Sequence, residues 1–102
     1  MSLPEAERRL DAEALARLLD PDTGWRREGE ALTKTYAFKG FKGAMAFANR
    51  VAEAATAANH HPDIHVEGYR RVRIVLTTHA TGRISDADVG LARQIDRLET
   101  PA

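Results

Sequence analysis

The sequence predicts an α+β fold. Four antiparallel strands form one layer and helices cover one face of it, in the order α-β-β-α-β-β-α. Three observations carry this expectation. Arg71–His79 alternates apolar and polar residues at the period of a strand. Eight of the fifteen residues from Ala44 to Ala58 are alanine, the best helix former. Turn chemistry built on Gly, Pro, Asp and Asn separates the remaining segments at short intervals.

Along the chain, Asp11 can cap a first helix whose Leu15, Leu18 and Leu19 form an apolar stripe. Asp20-Pro21-Asp22-Thr23-Gly24 stops that helix. Trp25–Glu28 reads as a short strand, Gly29-Glu30 as a hairpin turn, and Leu32–Phe38 as the second strand, with Leu32, Tyr36 and Phe38 on one face. Gly40 then precedes a helix over Phe41–Asn59, whose Phe41, Ala44, Ala48, Val51 and Ala55 define a core face. Small side chains on that helix imply a closely packed neighbour. Pro62 ends it, because the residue before proline avoids helical geometry. A short strand around Ile64–Val66, or reaching Tyr69, precedes Arg71–His79, in which Val72, Ile74 and Leu76 point to one face. After Gly82, Ser85-Asp86-Ala87-Asp88 resembles a capping box opening a last helix with Leu91, Ile95 and Leu98 as its stripe.

Length and composition narrow the function. The 102 residues, with no linker or repeat, read as one domain with one modest core, too small for a two-domain enzyme. With no cysteine, thiol nucleophiles, disulfides and thiolate zinc sites are excluded. Fifteen basic residues balance fifteen acidic ones, and the balance holds within each half, so no basic face for direct nucleic-acid binding is expected. Arg70, Arg71 and Arg73 are the one tight basic cluster, read as a solvated strand face or an anion contact. No apolar run approaches the ~20 residues of a membrane span, and the N-terminus lacks a signal peptide's apolar core; the expectation is a cytoplasmic domain with no membrane contact.

All four histidines, His60, His61, His65 and His79, fall within twenty residues. Three readings compete. They can be solvated loop residues with one strand-end histidine. They can ligate a metal, but adjacent histidines diverge, Pro62 interrupts the spacing between His61 and His65, and no cysteine completes a tetrahedral set. Or they can move protons, since imidazole titrates near neutrality and helix and strand ends are where clefts form.

The ordered set Asn59-His60-His61-Pro62, Tyr69, Thr77-Thr78-His79, Gly82 and Asp88 resembles the signature of the pterin-4a-carbinolamine dehydratases. The intervals Pro62 to Tyr69, Tyr69 to His79 and His79 to Asp88 all fit. Gly24-Trp25, Phe38-Lys39-Gly40-Phe41 and Leu91-Ala92 with Ile95 resemble further family landmarks, so the likeness extends over most of the chain.

The resemblance implies dehydration of a 4a-hydroxytetrahydropterin to quinonoid dihydropterin and water, with no metal, redox cofactor or nucleophile. Carried over by position, His60 and His79 are proton donors on the two faces of the pterin. His61 holds the substrate, Asp88 stands near the pocket rim, and Tyr69 is a pocket wall or a sheet-packing residue. Asp88 also has a purely structural reading as part of the cap. Trp25 is core or pocket wall, and His65 lies outside the motif. The family places a polar titratable residue four positions before the first histidine; Thr56 stands there and can hydrogen-bond but not hold a proton. Asn59 likewise stands where relatives often carry aspartate, and Ile64 where many carry an aromatic. The alternative function is therefore a non-enzymatic pterin-binding or protein-interaction paralogue. The resemblance also implies a homodimer or homotetramer.

Overall fold

The computed structural model describes residues 3–99. Four strands form one antiparallel sheet: β1 (Arg26–Glu28), β2 (Ala31–Ala37), β3 (Asp63–Glu67) and β4 (Arg71–Leu76), in the spatial order β1-β2-β4-β3. The helices are α1 (Glu5–Arg8), α2 (Ala12–Leu18), α3 (Phe41–Ala58) and α4 (Asp86–Leu98). β2 and β3 each run antiparallel to β4 and so parallel to each other. α3 is thus the crossover of a β-α-β unit split by β4.

The register explains the core. Leu32 faces Leu76, Tyr36 faces Val72, and Ile64 and Val66 face Ile74 and Val72 from the other side. These residues line one face, against which Ala44, Phe47, Val51 and Ala55 of α3 and Val89, Leu91, Ala92 and Ile95 of α4 are buried. Leu15 and Leu18 of α2 complete that layer. The expected two-layer α+β architecture is therefore present. Asp11 caps α2 by accepting from the backbone N–H groups of Glu13 and Ala14. Ser85 and Asp88 form the expected capping box at α4. Trp25 is a core residue, its ring edge-on to Tyr36.

Three expectations are corrected. The chain begins with an additional helix, α1, whose four residues carry no periodic signal. Phe41 is 57% exposed, and Phe47 takes its place in the core, its ring packed at a tilt against those of Tyr36 and Phe38. The strand expected to reach His79 ends at Leu76. The reason is a lack of partners: the β2 ladder closes at Leu32 opposite Leu76, and β3 begins at Asp63 opposite Val75. Thr77 instead donates its hydroxyl to the Glu30 carbonyl, and Thr78 bridges to Arg83 across a turn. Gly82 sits in that turn at φ +67, a left-handed conformation that costs glycine nothing, and its N–H donates to the Thr78 carbonyl.

This topology brings two segments of sequence together. Because the start of β3 pairs with the end of β4, the chain leaving α3 lies beside the chain leaving β4. The N-terminus of α4 follows directly.

Candidate active site

The site is built around the end of α3. Asn59 adopts the left-handed conformation (φ 51, ψ 42), which asparagine tolerates better than most residues. The His60 N–H then donates to the Ala55 carbonyl and the Asn59 N–H to the Thr56 carbonyl, a Schellman closure. The chain reverses there, and the ring of His60 turns inward, 7% exposed.

Beneath that ring lies Asp88, fully buried in the first turn of α4. His60 Nε2 is 2.6 Å from Asp88 Oδ1. Asp88 Oδ2 accepts the Thr78 hydroxyl at 2.8 Å and the Ser85 backbone N–H at 2.9 Å. The Ser85 and Thr78 hydroxyls are 2.6 Å apart. One assignment of protons satisfies every group: Ser85 donates to Thr78, Thr78 to Asp88, and His60 donates through Nε2. Asp88 then accepts three hydrogen bonds and donates none, as a carboxylate does. Nδ1 is left as the nitrogen of His60 able to exchange a proton without breaking the bond to Asp88.

On that side, Glu7 of α1 places Oε2 3.6 Å from Nδ1. Glu7, Asn59 and His60 also border a cavity of ≈ 420 Å³, with Asp86, Leu91 and Gln94 across from them. Among the described residues, no buried side-chain polar atom lacks a partner. Nor do any three His, Asp or Glu side chains among them converge in a way that could hold a metal ion.

The residues named from sequence separate into two groups. His60 and Asp88 are brought together, and Asp88 lies beneath the ring instead of at a rim. Its capping and histidine-holding roles coexist in one carboxylate. His61 follows His60 on the exposed surface, and His79 follows Thr78 in the exposed turn. Thr56 is exposed, and its hydroxyl donates to the Ala52 carbonyl of its own helix at 2.8 Å. Tyr69 is 62% exposed in the turn between β3 and β4, at φ 56, packed neither on the sheet nor near His60. Arg71 and Arg73 project from the sheet face away from the helices, where Arg73 Nε donates to Glu67 at 3.1 Å. That bond holds the Glu67 carboxyl below its usual range. Sequence reasoning assigned no function to Thr78, Ser85 or Glu7. The first two were signalled by the Thr-His and Ser-x-x-Asp motifs; nothing in sequence pointed to Glu7.

The profile of the family described as pterin 4 alpha carbinolamine dehydratase matches residues 8–98. A relative from Thermomicrobium roseum, provisionally named a pterin-4-alpha-carbinolamine dehydratase, is 52% identical over 90 residues, 88% of this chain and 96% of its own. A relative of the same name from Nocardia farcinica is 42% identical over 87% of this chain and 93% of its own. A crystal structure described as a transcriptional coactivator/pterin dehydratase from Brucella melitensis superimposes with a TM-score of 0.75 at 30% identity. It covers 98% of this chain and 100% of that one. A pterin dehydratase-like protein described as a RuBisCO assembly factor in the alpha-carboxysome has a TM-score of 0.64 at 27% identity, covering 78% of this chain and 93% of its own. By the extent of the profile match and by identity to these relatives, the chain belongs to the pterin-4a-carbinolamine dehydratase family.

Proposed function

We propose that the protein dehydrates a 4a-hydroxytetrahydropterin, releasing water and quinonoid dihydropterin. The observation that carries this reading is the buried imidazole of His60, fixed by Asp88 at the junction of the two motif segments and beside a cavity of ≈ 420 Å³. That volume is within the range of small-molecule sites, roughly 300–1,000 Å³.

The chemistry needs two proton movements. One proton goes to the C4a hydroxyl, which departs as water, and the N5 proton is removed as the C4a=N5 double bond forms. An imidazole oriented by a carboxylate is suited to this task, because its ring is held in one tautomer and one direction. In this reading His60 and His79 are proton donors on opposite faces of the pterin; the one that protonates the departing hydroxyl regains a proton as N5 loses its own, and His61 steadies the substrate. His61 and His79 are exposed and free to meet a ligand, although neither borders the cavity beside His60.

The test is turnover of the carbinolamine by His60→Ala and His79→Ala, with folding checked by circular dichroism. Loss of general acid catalysis is expected to lower kcat by about a hundredfold or more in His60→Ala. Unchanged turnover in both variants sinks the acid–base assignment.

A second reading has its own support. Thr56 turns its hydroxyl to its own helix and offers His60 no titratable group. One solved relative is described as a RuBisCO assembly factor, a role other than dehydration. On this reading the chain binds a pterin or a protein without accelerating the reaction. Saturable binding of pterin with an unaccelerated rate in the same assay would favour it.

A further inference from the structure

His60 has two ring nitrogens, and the proposed dehydration accounts for only one partner. Nε2 is committed to Asp88 at 2.6 Å. A proton given or taken by this histidine therefore passes through Nδ1, and the carboxylate facing Nδ1 is Glu7, 3.6 Å away.

The position of Glu7 follows from how the N-terminal segment is tied down. A helix of four residues does not persist on its own propensity. α1 packs on α4, and the segment following it is anchored to the start of that helix. The Asp86 N–H donates to the Arg9 carbonyl at 2.8 Å, and the Asp11 N–H donates to Asp86 Oδ1 at 2.7 Å. The Glu7 side chain is 17% exposed as a result. Its neighbours do not neutralise it: Arg9 pairs with Glu5 at 2.6 Å, and Arg8 Nε donates to the Leu3 carbonyl. The groups around His60 are then Glu7 from α1 and Asp88 from α4, with the Thr78 hydroxyl on Asp88 and Asp86 bordering the same cavity.

We propose that Glu7 is a positioning residue for His60. The imidazole is bonded by Asp88 at Nε2 and faced by the Glu7 carboxyl 3.6 Å from Nδ1, and Glu7 is the group through which Nδ1 exchanges its proton with the cavity. A proton delivered from Nδ1 to a departing hydroxyl is replaced through the Glu7 carboxyl from solvent, and the N5 proton released to solvent as the C4a=N5 bond forms restores the balance. The N-terminal segment thereby becomes part of the active site. The catalytic half of this proposal rests on the dehydratase reading; the pairing of Glu7 with His60 does not.

The experiment compares the full chain with Glu7→Gln, Glu7→Asp and Glu5→Gln. The ring nitrogen signals of His60 are recorded by NMR at one fixed pH, and kcat and KM are measured on the carbinolamine. Glu7→Gln removes the carboxylate that faces Nδ1, so the Nδ1 signal should be displaced from its position in the unaltered chain, while the Nε2 signal, held by Asp88, stays. Its kcat should fall about tenfold with KM within about twofold, as expected for loss of a group that orients another. Glu7→Asp keeps the charge and should restore most of both. Glu5→Gln alters the same helix away from His60 and should change neither. An Nδ1 signal in Glu7→Gln coincident with that of the unaltered chain overturns the pairing. A displaced Nδ1 signal with unchanged kcat overturns the proton route. Equal effects from Glu5→Gln would show that only the docking of α1 matters, and would also overturn the proposal. If the unaltered chain shows no turnover, the dehydratase reading fails by itself and the NMR comparison still decides the pairing.

Discussion

Asp88 holds the site together through two oxygens that serve three donors from three places in the chain. His60 comes from the end of α3, Thr78 from the loop after β4, and Ser85 from the cap of α4 itself. Replacing Asp88 by alanine would leave a buried imidazole N–H, a buried hydroxyl and a backbone N–H without an acceptor. Each unmet buried donor costs about 1–3 kcal/mol. Partial relaxation of the loop offsets some of this, and we expect Asp88→Ala to lose about 3 kcal/mol of unfolding free energy in urea. A loss below about 0.5 kcal/mol, the level of an ordinary surface change, would show that the network is not structural. His60 and Asp88 were legible in the sequence because motif spacing marks residues whatever their direction. Their contact was not, since His60 and Asp88 are 28 positions apart and meet only through strand register. Glu7 left no trace in the sequence, because its place depends on a tether at Asp86 and not on any local pattern.

At the scale of elements, local signals served best where one residue type decides the backbone. Alanine content marks α3, and Ser85 with Asp88 marks the start of α4, both found where local chemistry puts them. Strand ends were less legible: alternation in β4 continues past the point where its neighbours stop, and a ladder ends with its partners. The end of α3 combines both situations. Pro62 signals that the helix must stop, but Asn59 determines how, by taking the left-handed position that directs His60 inward. This assigns Asn59 a backbone role independent of any ligand. A β-branched residue is strained in that conformation, by about 1–2 kcal/mol. Asn59→Val is therefore expected to lower the urea midpoint by an amount corresponding to that cost, whereas Asn59→Gly should stay near the unaltered chain. Equal midpoints for the valine and glycine variants would show that the left-handed turn does not constrain the site.

For the whole molecule, the sequence indicated four strands and one helical face but not the order β1-β2-β4-β3, which depends on where α3 crosses. That order leaves β1 at an edge, with a single neighbour in the sheet. A second polar cluster ties this edge to the helical layer. Asp96 of α4 accepts the Trp25 indole N–H, the Lys34 ammonium at 2.8 Å and the Tyr36 hydroxyl at 2.6 Å. Lys34 also lies over the Tyr36 ring, 4.7 Å from its centroid. Burial is the main reason that the Tyr36 phenol is driven far above its ordinary value, and the hydrogen bond and negative charge of Asp96 add to it. Because the folded protein keeps this proton where the unfolded chain releases it, the contribution to stability is complete below about pH 10 and declines as pH rises beyond it. The slope for one such group approaches about 1.4 kcal/mol per pH unit. Urea unfolding followed from pH 9 to alkaline values should therefore show a steeper loss of stability in the unaltered chain than in Tyr36→Phe. The phenylalanine variant begins lower, having lost a hydrogen bond, so the two stability curves should converge as pH rises. Parallel curves would show that Tyr36 loses its proton equally well in the folded chain, and that the Asp96 cluster does not hold this edge of the sheet in the way described.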